Sequence, residues 1–177
     1  MERWMKVPLW SGVATVVAAA VAGGVMMLAP SGAAATGAHA VPECRKADLS
    51  AKYKATDAGM SHVYGRIILH NTSARPCFVQ GYGGLSYVGH GNGTQIGAPA
   101  DRTPSKTPKT VLQPGDKVRS AVSETSVAPY PKKQCRPVKV DGFRVYVPDE
   151  THSFYIPHQT MGCANPRVHL LQHKAYH

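Results

Sequence analysis

The chain has 177 residues, with 20 Lys plus Arg against 10 Asp plus Glu and a formal net charge of +10 at pH 7. That length suits one domain with a modest core, so no second domain is expected. The basic residues are scattered without a dense run or interleaved aromatic side chains, which argues against a nucleic-acid partner.

The N-terminus has the order of a secretory signal peptide. Arg3 and Lys6 precede an apolar stretch, residues 13–29, that contains no charged residue. Ala38-His39-Ala40 then matches the A-x-A pattern recognised by signal peptidases. We therefore predict cleavage after Ala40, which makes Val41 the first residue of the exported protein.

This cut divides the chain into a signal peptide, residues 1–40, and a domain, residues 41–177. The domain keeps 18 basic and nine acidic side chains, a formal +9, which favours weak attraction to an anionic cell envelope. Ala33-Ala34-Ala35 offers an earlier cleavage site. An uncleaved membrane anchor is the alternative, because the apolar run approaches the length of a spanning helix. Cys44 follows Val41-Pro42-Glu43 rather than a lipobox, so we expect no lipid anchor.

The clearest periodic segment of the domain is residues 62–70, in which Val63, Gly65, Ile67 and Leu69 alternate with a second set of side chains, His62, Tyr64, Arg66, Ile68 and His70. A period of two predicts a strand with one buried face. Residues 71–74 have turn chemistry, and Cys77-Phe78-Val79 begins the next strand.

Further strands are predicted along the chain, separated by turns and loops. Glycine and asparagine predict a tight turn at 89–93, proline and charge predict a loop at 98–109, and Gln113-Pro114-Gly115-Asp116 predicts a turn. Apolar residues never recur at helical spacing for more than two turns, so little helix is expected. The remaining strands are centred on residues 85–88, 118–122, 143–147, 154–156 and 168–170.

Seven or eight short strands with Gly/Pro turns predict an all-β fold, an immunoglobulin-like antiparallel β-sandwich. A closed small barrel is the alternative. The side chains predicted to point inward are Val63, Ile67, Leu69, Val118, Val122, Phe143, Val145 and Val147.

All four cysteines lie in the predicted domain, namely Cys44, Cys77, Cys135 and Cys163. An even number in an exported chain indicates disulfides and an extracytoplasmic location, either secreted or associated with the envelope. Four cysteines allow three connectivities. We predict Cys44 with Cys77 and Cys135 with Cys163, because two strands lie within each pair and return the chain to its starting end.

A set of spaced motifs runs through the domain: Cys44, Asn71, Ser73, Pro76-Cys77, Gly81-Tyr82, Leu112-x-Pro114-Gly115, Cys135, Val145-x-x-Pro148 and Cys163. With these motifs the domain resembles a family, the domain of unknown function 4232 (DUF4232), over essentially its whole length. Gly83 stands where that family often has proline, and the lipobox of its lipoprotein members is missing. The resemblance implies an exported actinobacterial β-sandwich with no assigned activity.

Histidine offers the most suggestive chemistry, because His169, His173 and His177 recur every four residues. Such spacing places at least two of them on one side of an element, where Zn or Cu binds. The alternative is an exposed, frayed C-terminus that needs no metal. We favour this alternative, expect no cofactor, and predict that replacing His173 and His177 with alanine leaves folding unchanged.

No catalytic motif is recognised in the chain. Gly84-Leu85-Ser86-Tyr87 lacks the second glycine of a G-x-S-x-G elbow, and the glycines of residues 81–93 do not form a phosphate-binding loop. We therefore expect a secreted, non-enzymatic domain whose loops bind an unknown envelope component or protein. A hydrolase with a dispersed site is the second alternative, since catalytic geometry need not follow sequence order.

Overall fold

The computed structural model describes residues 40–177, so the predicted signal segment lies outside the described residues except for Ala40. The described chain is all-β, with one four-residue helix, α1 (Lys132–Cys135), and one 3-10 turn (Lys46–Asp48). In these residues no helix is both long and apolar enough to cross a membrane. The strands are β1 (Leu49–Gly59), β2 (His62–Asn71), β3 (Cys77–Val79), β4 (Gly84–Gly89), β5 (Thr94–Ile96), β6 (Asp101–Arg102), β7 (Thr110–Leu112), β8 (Lys117–Thr125), β9 (Pro137–Tyr146), β10 (Ser153–Cys163) and β11 (Leu171–His173).

Two larger sheets and one two-stranded sheet make up the domain. The first sheet has the order β1-β2-β8-β11-β6, the second has the order β10-β9-β4-β5, and β3 pairs with β7. The pairs are antiparallel except for β11 with β6. Inward side chains of both larger sheets form one core around Phe143, whose ring lies 5.1 Å from that of Tyr53 and 5.5 Å from that of Tyr87.

The structure confirms most of the predicted inward positions and corrects one. Ile67, Leu69 and the predicted residues of β8 and β9 are buried, as is Val147. Val63 is 38 % exposed because it borders an open cleft of about 410 Å³, whose walls also include Val127 and, from the second sheet, Tyr87 and Met161.

Eleven strands stand where seven or eight were predicted, because several are only two or three residues long. β5, β6, β7 and β11 are too short for a period-two pattern to be recognised. The longer β1 was missed because only Leu49, Ala51 and Tyr53 face inward before its outer half becomes fully exposed.

The disulfides have the predicted pairing. Cys44 is bonded to Cys77 and Cys135 to Cys163, with Cα atoms 4.9 and 4.7 Å apart. Each loop encloses an antiparallel hairpin, β1–β2 in one and β9–β10 in the other. A hairpin returns the chain to its starting end, which is why both pairs meet.

The C-terminus is built into the first sheet, which corrects the prediction that it is frayed and exposed. His173 lies in β11 between β8 and β6 and is only 4 % exposed. Beyond the strand, the Lys174 N–H donates to the Ala121 carbonyl, and the His177 N–H donates to the Arg119 carbonyl. Of the two histidines expected to be exposed, His173 and His177, only His177 is exposed.

Candidate functional site

Six basic side chains lie together on the outer face of the first sheet. Strand alternation places them there, because the intervening residues point into the core. Lys54 pairs with Arg66 across β1 and β2. The six are Lys52 and Lys54 on β1, Arg66 on β2, Lys117 and Arg119 on β8, and Lys174 directly after β11.

The register brings these cations close in two dimensions. Ile68 on β2 lies between Lys52 on β1 and Arg119 on β8, and His70 pairs with Lys117. Neighbouring strands are about 4.8 Å apart, and alternate residues along a strand about 6.7 Å apart. Ile68 is only 8 % exposed on this face, which fits coverage by the long stems of the basic side chains beside it.

Few acidic groups oppose this charge. The four ion pairs found in residues 40–177 involve Arg75, His152, His158 and His169, and none of the six cations. Acids at the borders of the face have other partners. Asp57 accepts a hydrogen bond from the Ala58 N–H at the outer end of β1, Asp101 at the far edge pairs with His169, and Asp116, directly before Lys117, accepts from the Gln113 N–H. We call the six cations the basic face.

A second cluster lies in the core, where Glu124 on β8 accepts hydrogen bonds from three side chains. Its Oε1 accepts from the Tyr53 hydroxyl at 2.7 Å, and its Oε2 accepts from the Tyr87 hydroxyl at 2.8 Å. His158 Nε2 lies 2.9 Å from the same Oε2, and the His158 ring stacks on Phe143 at 4.5 Å between centroids. The cluster therefore joins both larger sheets.

The electrostatics keep the Glu124 carboxylate ionised. Burial raises its pKa, but hydrogen bonds from His158 and Tyr53, the charge of His158 and the Tyr87 hydrogen bond together hold the pKa below the ordinary value. Burial next to this carboxylate raises the pKa of Tyr53 and of Tyr87. Both phenols are thus neutral donors.

A cleft of about 690 Å³ opens where β10 bulges. The pairing of β9 with β10 shifts between Pro157 and Thr160, so His158 and Gln159 stand opposite Asp141 without regular partners. Bulges of this kind redirect side chains. Both residues border the cleft together with the exposed ring of Tyr155.

A larger cleft, about 760 Å³, lies between the N-terminal segment and the turn after β9. Its Glu150 carboxylate accepts hydrogen bonds from the backbone N–H groups of Lys46, Thr151 and His152, and lies 3.0 Å from the His152 ring. These contacts lower the pKa of Glu150 to about 2, the His152 ring contributing most. The Glu150 carboxylate therefore stabilises the turn after β9 through these hydrogen bonds.

The three histidines proposed as metal ligands do not converge. His169 Nδ1 lies 2.8 Å from Asp101, His173 packs edge-on against Tyr82, and His177 Nδ1 lies 3.1 Å from the Ala175 carbonyl. No group of three His, Cys, Asp or Glu side chains in the described part of the chain is placed to hold a metal ion. Burial, and then the charge of Arg102, lowers the pKa of His173 to about 4.

The fold and these surfaces define a small all-β domain with two disulfides, a basic sheet face and a cleft at a strand bulge. Residues 44–175 match the model of a family described as Domain of unknown function (DUF4232), and the chain belongs to that family. A search of curated proteins and a search of solved structures found no match to the chain.

The motifs that carry the family resemblance are structural in this chain. The Asn71 side-chain amide donates to the carbonyls of Arg75 and Leu112, and the Gly115 N–H donates to the Asn71 carbonyl, which ties two motifs together. The Tyr82 hydroxyl donates to the Thr103 carbonyl. None of the motif residues belongs to the basic face or lines the cleft at the β10 bulge, so the motifs did not indicate either surface.

Proposed function

We propose that this protein is a secreted, non-enzymatic domain of immunoglobulin-like type that attaches to an anionic polymer of the cell envelope through the basic face. The observation that carries this function is the convergence of six cations on one sheet face, none of them paired with a carboxylate of residues 40–177. Two disulfides support an oxidising, extracytoplasmic location.

The face suits a repeating polyanion because its charges are distributed in two dimensions on a rigid sheet. Fixed cations raise the local concentration of an anionic chain and accelerate association, and salt weakens both effects. The proposed binding surface is thus the sheet face and not the loops that the sequence led us to expect. Within the described residues this face carries few aromatic rings, which disfavours nucleic acid. Tyr64 and the His62 ring stacked on it lie at one end, and His70 lies between Ser50 and Lys117.

The proposal predicts that reversing charges on the basic face weakens polyanion binding. Binding of the purified protein to inorganic polyphosphate and to polygalacturonate is measured by calorimetry across a salt series. For Lys52→Glu/Arg66→Glu/Arg119→Glu we expect at least tenfold weaker binding, about 1.4 kcal/mol or more, and a shallower salt dependence.

The matched control is Lys106→Glu/Lys132→Glu/Lys133→Glu, which makes the same change in net charge at exposed positions in a loop and in α1. Equal losses for both triple variants would mean that net charge alone drives association, and would contradict a site on this face. A preference for single-stranded nucleic acid over both polymers would also contradict it.

A further inference from the structure

The Tyr155 ring forms a rigid aromatic platform beside the cleft at the β10 bulge. Its hydroxyl donates to the Asp141 carbonyl at 3.1 Å, and the ring leans across Gly142, where an added Cβ would collide with it. The side chain is nevertheless 58 % exposed. One edge of the ring is therefore held by the sheet while much of its surface stays open.

The opposite wall of the cleft is preorganised by a glycine turn after β4. His90, Gly91 and Gly93 have φ values of 62°, 68° and 76°, a left-handed conformation that glycine adopts without strain. The Gly91 N–H donates to Asp141 Oδ2 at 2.7 Å, and the Arg144 guanidinium donates to the Gly93 carbonyl. These bonds hold the turn in place before any ligand arrives.

Two polar side chains that line the cleft, Asp141 and Gln159, keep unused hydrogen-bonding capacity. Asp141 Oδ1 accepts no hydrogen bond from residues 40–177, and the Gln159 amide has no partner there. The His158 imidazole belongs to the core cluster instead, since it bonds to Glu124 and stacks on Phe143.

The combination selects one class of ligand. The Asp141 carboxylate lines the cleft and the Arg144 guanidinium binds its wall at the Gly93 carbonyl, so the two charges offset each other and favour neither an anion nor a cation. An aromatic face attracts weakly positive C–H groups, while the carboxylate and the amide suit hydroxyl groups arranged around a ring. The volume is within the range of ordinary ligand sites.

We propose that the cleft between Tyr155, Asp141 and Gln159 binds a neutral sugar ring, stacked on Tyr155 and hydrogen-bonded through its hydroxyls. The site lies at the second sheet and shares no residue with the basic face, so either can fail without the other.

The test is an NMR titration of the ¹⁵N-labelled protein with D-glucose, D-galactose, D-mannose and N-acetyl-D-glucosamine. At least one of these sugars should shift the Gly91 and Gly93 amides and the Gln159 side-chain amide in a saturable, millimolar titration. Tyr155→Ala should weaken this binding at least about tenfold, as expected for an aromatic anchor. Tyr155→Phe, which retains the ring, should preserve it.

Tyr64→Ala is the matched control, because Tyr64 is a 44 % exposed tyrosine of the other larger sheet. Binding in this variant should be unchanged. Absence of saturable shifts with all four sugars, or equal effects of Tyr155→Ala and Tyr64→Ala, would overturn the proposal. If tetramethylammonium or acetate shifts the same amides and binds more tightly than the sugars, the proposal that the ligand is neutral would be overturned.

Discussion

Glu124 lies on β8 and accepts hydrogen bonds from side chains on three other strands, Tyr53 on β1, Tyr87 on β4 and His158 on β10. A buried carboxylate is tolerated only when it is hydrogen-bonded and paired, and this one is both. Because its pKa is lowered on folding, it contributes stability above its ordinary pKa, and that stability is lost as the pH falls through the folded value.

Replacing this carboxylate tests the cluster at the scale of one residue. We expect Glu124→Gln to lower the free energy of unfolding by about 2 kcal/mol at pH 7, since hydrogen bonds to charged groups contribute about 1.5–3 kcal/mol. Urea unfolding with intact disulfides measures the change. Glu43→Gln is the control and should stay within about 0.5 kcal/mol. Equal midpoints for the two variants would show that the cluster does not stabilise the fold.

At the scale of elements, β11 and the residues after it complete the first sheet. β11 pairs with β8 on one side and β6 on the other. The Ser120 hydroxyl donates to the Lys174 carbonyl at 2.5 Å, and the Tyr176 N–H donates to the Gly81 carbonyl at 3.0 Å. Tyr176 is fully buried, and burial raises its pKa. Ala175 and Tyr176 are therefore part of the core.

His173 makes this element sensitive to acid. Burial followed by the charge of Arg102 lowers its pKa to about 4 from an ordinary 6.5. Around these pH values the folded state thus binds fewer protons than the unfolded chain. The contribution of His173 to the free energy of unfolding therefore decreases as the pH falls from about 6.5 to 4, by at most about 3 kcal/mol.

The measurement is the free energy of unfolding of the wild type and of His173→Phe between pH 7 and pH 4. The variant keeps a ring against Tyr82 but has no titrating group, so its stability should fall less over this range. If the free energy of unfolding falls with pH equally steeply in the wild type and in His173→Phe, groups other than His173 cause the acid sensitivity. His169→Phe, which changes an exposed histidine, serves as the control.

At the scale of the whole molecule, the disulfides close two loops, each around one hairpin. Their cysteines are 33 and 28 residues apart. In the chain-entropy model each loop of that length stabilises the fold by about 3–4 kcal/mol. A small domain has only about 5–15 kcal/mol of net stability, so both bonds together are a large part of it.

We therefore expect the Cys44→Ala/Cys77→Ala variant to remain folded with a strongly lowered melting temperature, and full reduction of the wild type to unfold it at 37 °C. Thermal unfolding followed by circular dichroism decides this. The Cys135→Ala/Cys163→Ala variant should lose a similar amount, because its loop is of similar length. A melting temperature unchanged by reduction would contradict the role of both bonds.

The predictions that succeeded rest on local patterns. The alternation around Ile67 and Leu69 identified β2, and the turn residues at 89–93 and 113–116 marked the ends of strands. The predictions that failed depend on neighbours distant in sequence. Val63 continues the alternation but borders an open cleft, and His173 is near the terminus but is covered by β6 and β8.

By itself, the sequence determined the all-β class, because side-chain alternation is a property of adjacent residues. The predicted disulfide pairing is correct, but the sequence showed only β2 of the hairpin that joins Cys44 to Cys77. Only the tertiary structure decided which charges meet. Lys52, Arg66 and Lys174 are widely separated in sequence, yet the strand order β1-β2-β8-β11 places them on one face. Likewise, Tyr155 and Gly91 meet at one cleft through sheet pairing and a bulge. Such convergence depends on sheet order, which no local pattern encodes.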